Sequence, residues 1–137
     1  MKLNRNLIFV MLLFLIVLIS YANIFQNEFV WDDPFFITDN IHIKDLGNIP
    51  DFFAQPSTGD LYRPVRQVFY AVNYRAWGLN TFGYHLNSIL LHFFVTILLY
   101  IIILKITNKM NFSFVAALFF ATHPVHVERI TNMTAAF

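Results

Sequence analysis

A run without charge begins at Leu7 and ends at Ile19, and apolar character continues past Tyr21 to Phe25. As a helix, residues 7–25 rise roughly 28 Å, enough to cross a bilayer core, so the pattern predicts a first transmembrane helix there. A second apolar block covers 86–106, and its polar interruptions are His92, Thr96 and the Tyr100 hydroxyl. It predicts a second transmembrane helix. A third block, 112–121, stops at Thr122-His123-Pro124 and is too short for a full span. It reads as a short or re-entrant helix, or as a span whose end takes in those polar residues.

Basic residues orient these blocks. Lys2 and Arg5 precede the first, and Lys105 and Lys109 close the second. The positive-inside rule then places 1–6 and the turn 107–111 in the cytoplasm. It places the loop 26–85 outside, and 112–137 becomes a third membrane segment with a polar motif after it. A cleaved signal peptide is a rival reading of the first block, with Ser20-Tyr21-Ala22 as its cleavage site. The continued apolar character of Ile24 and Phe25 favours an uncleaved helix.

In the outer loop, Pro50, Pro56 and Gly59 punctuate irregular chain. Residues 64–77 then read as a helix: Asp60 precedes it, Pro64 fits its first turn and Gly78 ends it. Val65, Val68, Phe69, Val72, Ala76 and Trp77 share one stripe, with Arg66, Gln67 and Asn73 off it. Such a helix is expected in the membrane interface, and periodicity alone equally allows packing against protein.

Composition agrees with a membrane chain. Of 137 residues, 58% are hydrophobic and 12% charged, about half the usual share in a soluble domain. The net charge of +1 gives no basic field for nucleic acid. With no cysteine, disulfides, thiolate chemistry and a lipoprotein anchor are excluded. The sequence stops at Thr-Ala-Ala-Phe137 without a polar tail, and is expected to be part of something longer.

Four constellations carry candidate chemistry. Asp32 and Asp33 follow Phe29-Val30-Trp31 at the outer end of the first helix. Adjacent carboxylates repel each other and resist burial, which raises the pKa of one and suits a general base; a plain water-exposed helix end is the alternative. Leu61-Tyr62-Arg63-Pro64-Val65 places a guanidinium before a helix, where it meets an anion or snorkels to lipid headgroups. Trp77-Gly78-Leu79-Asn80 and Phe82-Gly83-Tyr84-His85 read as a compact turn into the second helix. His123-Pro124-Val125-His126-Val127-Glu128 offers two imidazoles and a carboxylate to a divalent metal, although Pro124 spoils a helical ligand face. A polar network near the membrane face is the alternative, and no metal site is assigned. His92 reads as a hydrogen-bonded interhelical residue.

In this order, the four constellations resemble the N-terminal membrane region of the transmembrane-and-tetratricopeptide-repeat (TMTC-like) glycosyltransferases, relatives of the protein O-mannosyltransferases, over about residues 24–128. The resemblance implies an all-α integral membrane fold, part of a GT-C-type helical bundle with two to three transmembrane helices and an interfacial helix on the outer loop. It also implies inverting transfer of a sugar from a polyprenyl-phosphate donor to an acceptor hydroxyl on the outer face. In that picture Asp32 or Asp33 is the base, and Arg63 steadies the leaving phosphate. His123, His126 and Glu128 line the cavity opening. The family has many more membrane helices, so this chain alone is expected to be inactive, and to need further helices or a partner membrane protein. A bacterial inner membrane is the expected location, or the endoplasmic reticulum membrane in a eukaryote. The alternative is a non-enzymatic membrane protein that scaffolds other helices. No cofactor is required by the sequence.

Overall fold

A computed structural model describes residues 4–56 and 61–134. Lys2, Gly59, Asp60 and Phe137 lie outside the described residues. Six α-helices occur among those described: α1 (Arg5–Tyr21), α2 (Ile49–Ala54), α3 (Pro64–Trp77), α4 (Thr81–Thr107), α5 (Met110–Thr122) and α6 (Val127–Thr131). The protein is an all-α membrane protein.

Helix α1 starts where the Asn4 side chain accepts the Asn6 N–H, and it runs into a 3-10 turn over Ala22–Gln26. Leu13, Val17 and Tyr21, four apart, are buried, while Leu7, Met11, Leu15 and Ile19 stay exposed. Water would penalise that outer face, whereas acyl chains match it. The buried face meets α4 and α5, and these three helices pack on one another. Several polar groups inside the bundle are paired: the Tyr21 hydroxyl donates to the Ala121 carbonyl (3.2 Å), and Tyr100 donates to Asn6 Oδ1 (2.8 Å). His92 Nε2 lies 3.0 Å from the Ala121 carbonyl, an interhelical hydrogen bond of the kind its position predicts.

The second span begins earlier than the apolar run suggests. α4 starts at Thr81, five residues before Leu86, because Asn80 caps it by accepting the Phe82 N–H. The expected two-glycine turn therefore narrows to one glycine. Gly78 ends α3 with φ +60°, a conformation costly for other residues. Gly83 instead sits within α4, where a Cβ would collide with the Trp77 ring. It is there for close packing, not for a turn.

Near the start of α1, Arg5 donates to Asn111 Oδ1 (2.9 Å), so the α4–α5 turn shares that end of the bundle. From there α5 returns toward the other end. The chain bends by 46° between Met110–Thr122 and Pro124–Thr131. Pro124 has no N–H to continue the helix, which accounts for the break. The third apolar block is thus the first arm of a bent pair, and α6 reaches Ile24 and Ile89.

The outer loop holds more structure than its punctuation suggests. Pro50 opens the short helix α2 and does not mark irregular chain. Phe36, Ile37, Ile43, Phe52, Tyr70 and Tyr84 are buried together in a core that Met133 from the segment after α6 completes. Helix α3 spans the expected residues, and its apolar stripe is shared between solvent and protein, since Val68 and Phe69 pack against the loop core. Val65 and Val72 are exposed, while Arg66, Gln67, Tyr70, Ala71 and Asn73 are buried against the loop core.

Candidate functional site

The Asp32–Asp33 pair sits on a tight turn. The Asp33 N–H donates to the Val30 carbonyl (3.0 Å), and Trp31 within the turn has φ +54°. A π-helical turn, Pro34–Thr38, follows. The turn sends the two acids in different directions. Asp33 is fully buried, and both its oxygens are occupied: Oδ2 accepts the Val30 N–H (3.0 Å) and Oδ1 accepts the Thr134 N–H (3.0 Å). Burial raises its pKa above the ordinary carboxylate value, and the hydrogen bonds from Val30 and Thr134 oppose that shift. Burial, rather than repulsion between the neighbouring acids, leads that shift. Asp32 is exposed.

Asp32 lines an open cleft of ≈ 490 Å³, together with Arg63 and Arg66 from the α3 region and Glu128, Arg129 and Thr134 from the end of the described chain. Three stretches far apart in sequence meet there. The cleft carries three arginines against two carboxylates, so its balance is cationic. Arg63 is exposed at the start of α3.

Arg66 is the residue that sequence reasoning passed over. It is 5% exposed, its Nε and Nη2 have no hydrogen-bond partner, and its guanidinium stacks 4.2 Å from the Phe36 ring centroid. Burial lowers its pKa, and the Asp32 charge acts the other way. Buried donors left without hydrogen-bond partners cost stability. The only sequence signal was a charge placed off the apolar stripe of α3.

The His123–Glu128 motif divides. Glu128 lines the cleft beside Asp32 and also a second one of ≈ 590 Å³. His126 packs 4.4 Å from the Phe120 ring and 5.1 Å from His92, and lines a small groove with Ser88 and Arg129. His123 is exposed and caps the 3-10 turn, its Nδ1 accepting the Val125 N–H (3.2 Å). The two imidazoles meet edge to face with ring centroids 6.2 Å apart, but Glu128 does not join them in a ligand group. Among the described residues no group of three His, Asp or Glu side chains is placed to hold a metal ion, and the idea of a metal site in this motif is not supported.

No family model matches the chain, and no solved structure matches it. Curated proteins do. The chain is 30% identical over 142 residues to human protein O-mannosyl-transferase TMTC3, covering 95% of this chain and 15% of that protein. Human protein O-mannosyl-transferase TMTC1 is 29% identical over 126 residues, covering 84% and 14%. A Caenorhabditis elegans protein O-mannosyl-transferase is 29% identical over 142 residues, covering 95% and 20%. The chain thus spans at most a fifth of the length of these relatives. Over the matched residues, which include the Asp32, Arg63 and Glu128 motifs, the chain is similar to the TMTC protein O-mannosyl-transferases.

Proposed function

We propose that this chain forms the acidic outer loop and the donor-phosphate cleft of a membrane glycosyltransferase. The enzyme would move a sugar from a polyprenyl-phosphate carrier to an acceptor hydroxyl outside the membrane. The observation that carries this reading is the cleft itself, which joins Asp32, Arg63 and Glu128 from three separate motifs. The relatives' names make a mannosyl group the first sugar to test and a protein hydroxyl the first acceptor.

In this mechanism Asp32 is the base. It is exposed on the cleft, whereas Asp33 has both oxygens committed to backbone N–H groups. Asp32 takes the proton as the acceptor oxygen attacks the anomeric carbon. The bond from that carbon to the phosphate oxygen breaks, and the phosphate leaves as an anion. Negative charge grows on that oxygen, where Arg63 and Arg66 stabilise it. Attack opposite the leaving group inverts the anomeric centre. Glu128 lines the mouth of the cleft; His123 and His126 serve the bend between α5 and α6.

An enclosed site for a lipid-linked sugar needs more walls than a three-helix bundle supplies. Transfer therefore belongs to an assembly of this chain with further membrane helices, continuous with it or from a partner. We place the loop outside, in a bacterial inner membrane by preference, with Arg5, Lys105 and Lys109 on the cytoplasmic side. The test is Asp32→Asn in the whole assembly, assayed for sugar transfer and for membrane insertion. Loss of transfer with normal insertion supports the reading, and full transfer refutes it.

A further inference from the structure

Trp31 is the least economical residue in the described chain. Its side chain is 89% exposed, and its backbone holds φ +54°. Left-handed backbone is rare and strained for a bulky residue, and such strain persists where surrounding structure enforces it, commonly at ligand clamps. Here Asp33 enforces it, since its N–H and its carboxylate both bond to Val30 on the other side of Trp31. The strain secures no packing for a ring left in the open.

The position of the ring supplies a reason. Trp31 stands between the two clefts and lines both, sharing that boundary with Glu128 and Asn132. On the Asp32 side lie the three arginines. On the other side Gln26, Asn27, Glu28 and Thr131 line the ≈ 590 Å³ cleft. That second cleft has no cationic side chain among its lining residues, and amides, carboxylates and a hydroxyl line it beside Val30 and the Trp31 ring. These groups exchange hydrogen bonds with hydroxyls, and an indole face covers the C–H face of a ring.

We propose that this second cleft is a binding site for an uncharged pyranosyl ring, with Trp31 as its stacking wall. The inference rests on the glycosyltransferase reading and deepens it. The phosphate occupies the arginine side and the sugar lies across Trp31, which brings the anomeric carbon to the boundary beside Asp32. A lipid-facing tryptophan is the competing occupant of this geometry. The polar lining on both sides of the ring favours the sugar.

The test compares mannosyl-phosphoryl-farnesol with farnesyl phosphate, each bound to the full protein in lipid nanodiscs, with affinity read by isothermal titration calorimetry for every variant and, for the wild type, also by tryptophan fluorescence. The wild type should bind the glycosylated probe more tightly. Trp31→Gly should weaken that probe roughly tenfold while changing farnesyl phosphate less than about twofold. Trp31→Phe should keep most of the sugar-dependent gain. Thermal stability of Trp31→Gly should be unchanged or higher, because glycine accepts the turn. Unchanged binding of both probes by Trp31→Gly overturns the proposal. So does a wild-type emission shift produced by lipid alone with none added by the sugar. If farnesyl phosphate binds and the sugar adds no affinity, the sugar site fails while the phosphate reading stands. If neither probe binds the wild type, the donor reading fails and this proposal falls with it.

Discussion

Asp33 and Thr134, 101 positions apart, are joined by a hydrogen bond of 3.0 Å from the Thr134 N–H to Asp33 Oδ1. This bond ties the first acidic turn to the segment that follows α6. It lies beside the cleft, because Asp32 on one side and Thr134 on the other both line it. The buried acid holds the site together, and the exposed acid faces into it.

Asp33→Asn should therefore weaken the fold. An amide can accept one of the two backbone N–H groups and sets its own NH2 against the other. Leaving a buried donor unpaired costs about 1–3 kcal/mol. Asp32→Asn, at an exposed position, should change stability by less than about 0.5 kcal/mol. Thermal or denaturant unfolding of both variants in detergent measures the difference.

The same carboxyl sets a pH dependence. Its folded pKa lies above the ordinary value of 3.8. Between those two values the folded state holds more protons than the unfolded state, so stability falls as pH rises through that window. It levels off above the folded pKa. Asp33→Asn should remove this slope, and unfolding midpoints measured from pH 3 upward would detect it.

Sequence reasoning reached the two long spans and the bounds of α3, because local pattern fixes each of them, but not which part of the α3 stripe turns inward, where Val68 and Phe69 pack against the loop core. Pro64 and Gly78 bracket α3, and Val65 and Val72 mark its outer side. It did not reach the division between Asp32 and Asp33. Both acids look alike locally, and the partner that buries one is 101 residues away. Arg66 was hidden for the same reason, since its neighbour Phe36 comes from another part of the loop. The early start of α4 was missed because a polar cap and a glycine, rather than apolar residues, open the helix.

The faces of α3 give a labelling test. The chain has no cysteine, so each introduced cysteine reports alone. Val72→Cys should react readily in detergent and be quenched by brominated lipid in a bilayer. Ala71→Cys, fully buried, should resist labelling until the protein unfolds. Equal labelling of both in detergent would contradict the assigned faces.

Gly83→Ala should be costly, since the added methyl collides with the Trp77 ring. Overpacking of this kind costs roughly 1–3 kcal/mol. A lower unfolding midpoint, with a change in Trp77 emission, is the expected result. Gly78→Ala should also destabilise through its positive φ, yet leave Trp77 in place.

The most direct measurement is sugar transfer by the membrane-embedded assembly with Asp32→Asn beside Asp33→Asn, each scaled to the amount of folded protein. The account predicts that Asp32→Asn abolishes transfer without loss of folded protein, while Asp33→Asn lowers the folded amount more than the activity per folded molecule. Full transfer by folded Asp32→Asn protein, or abolished transfer by fully stable Asp33→Asn protein, would contradict it.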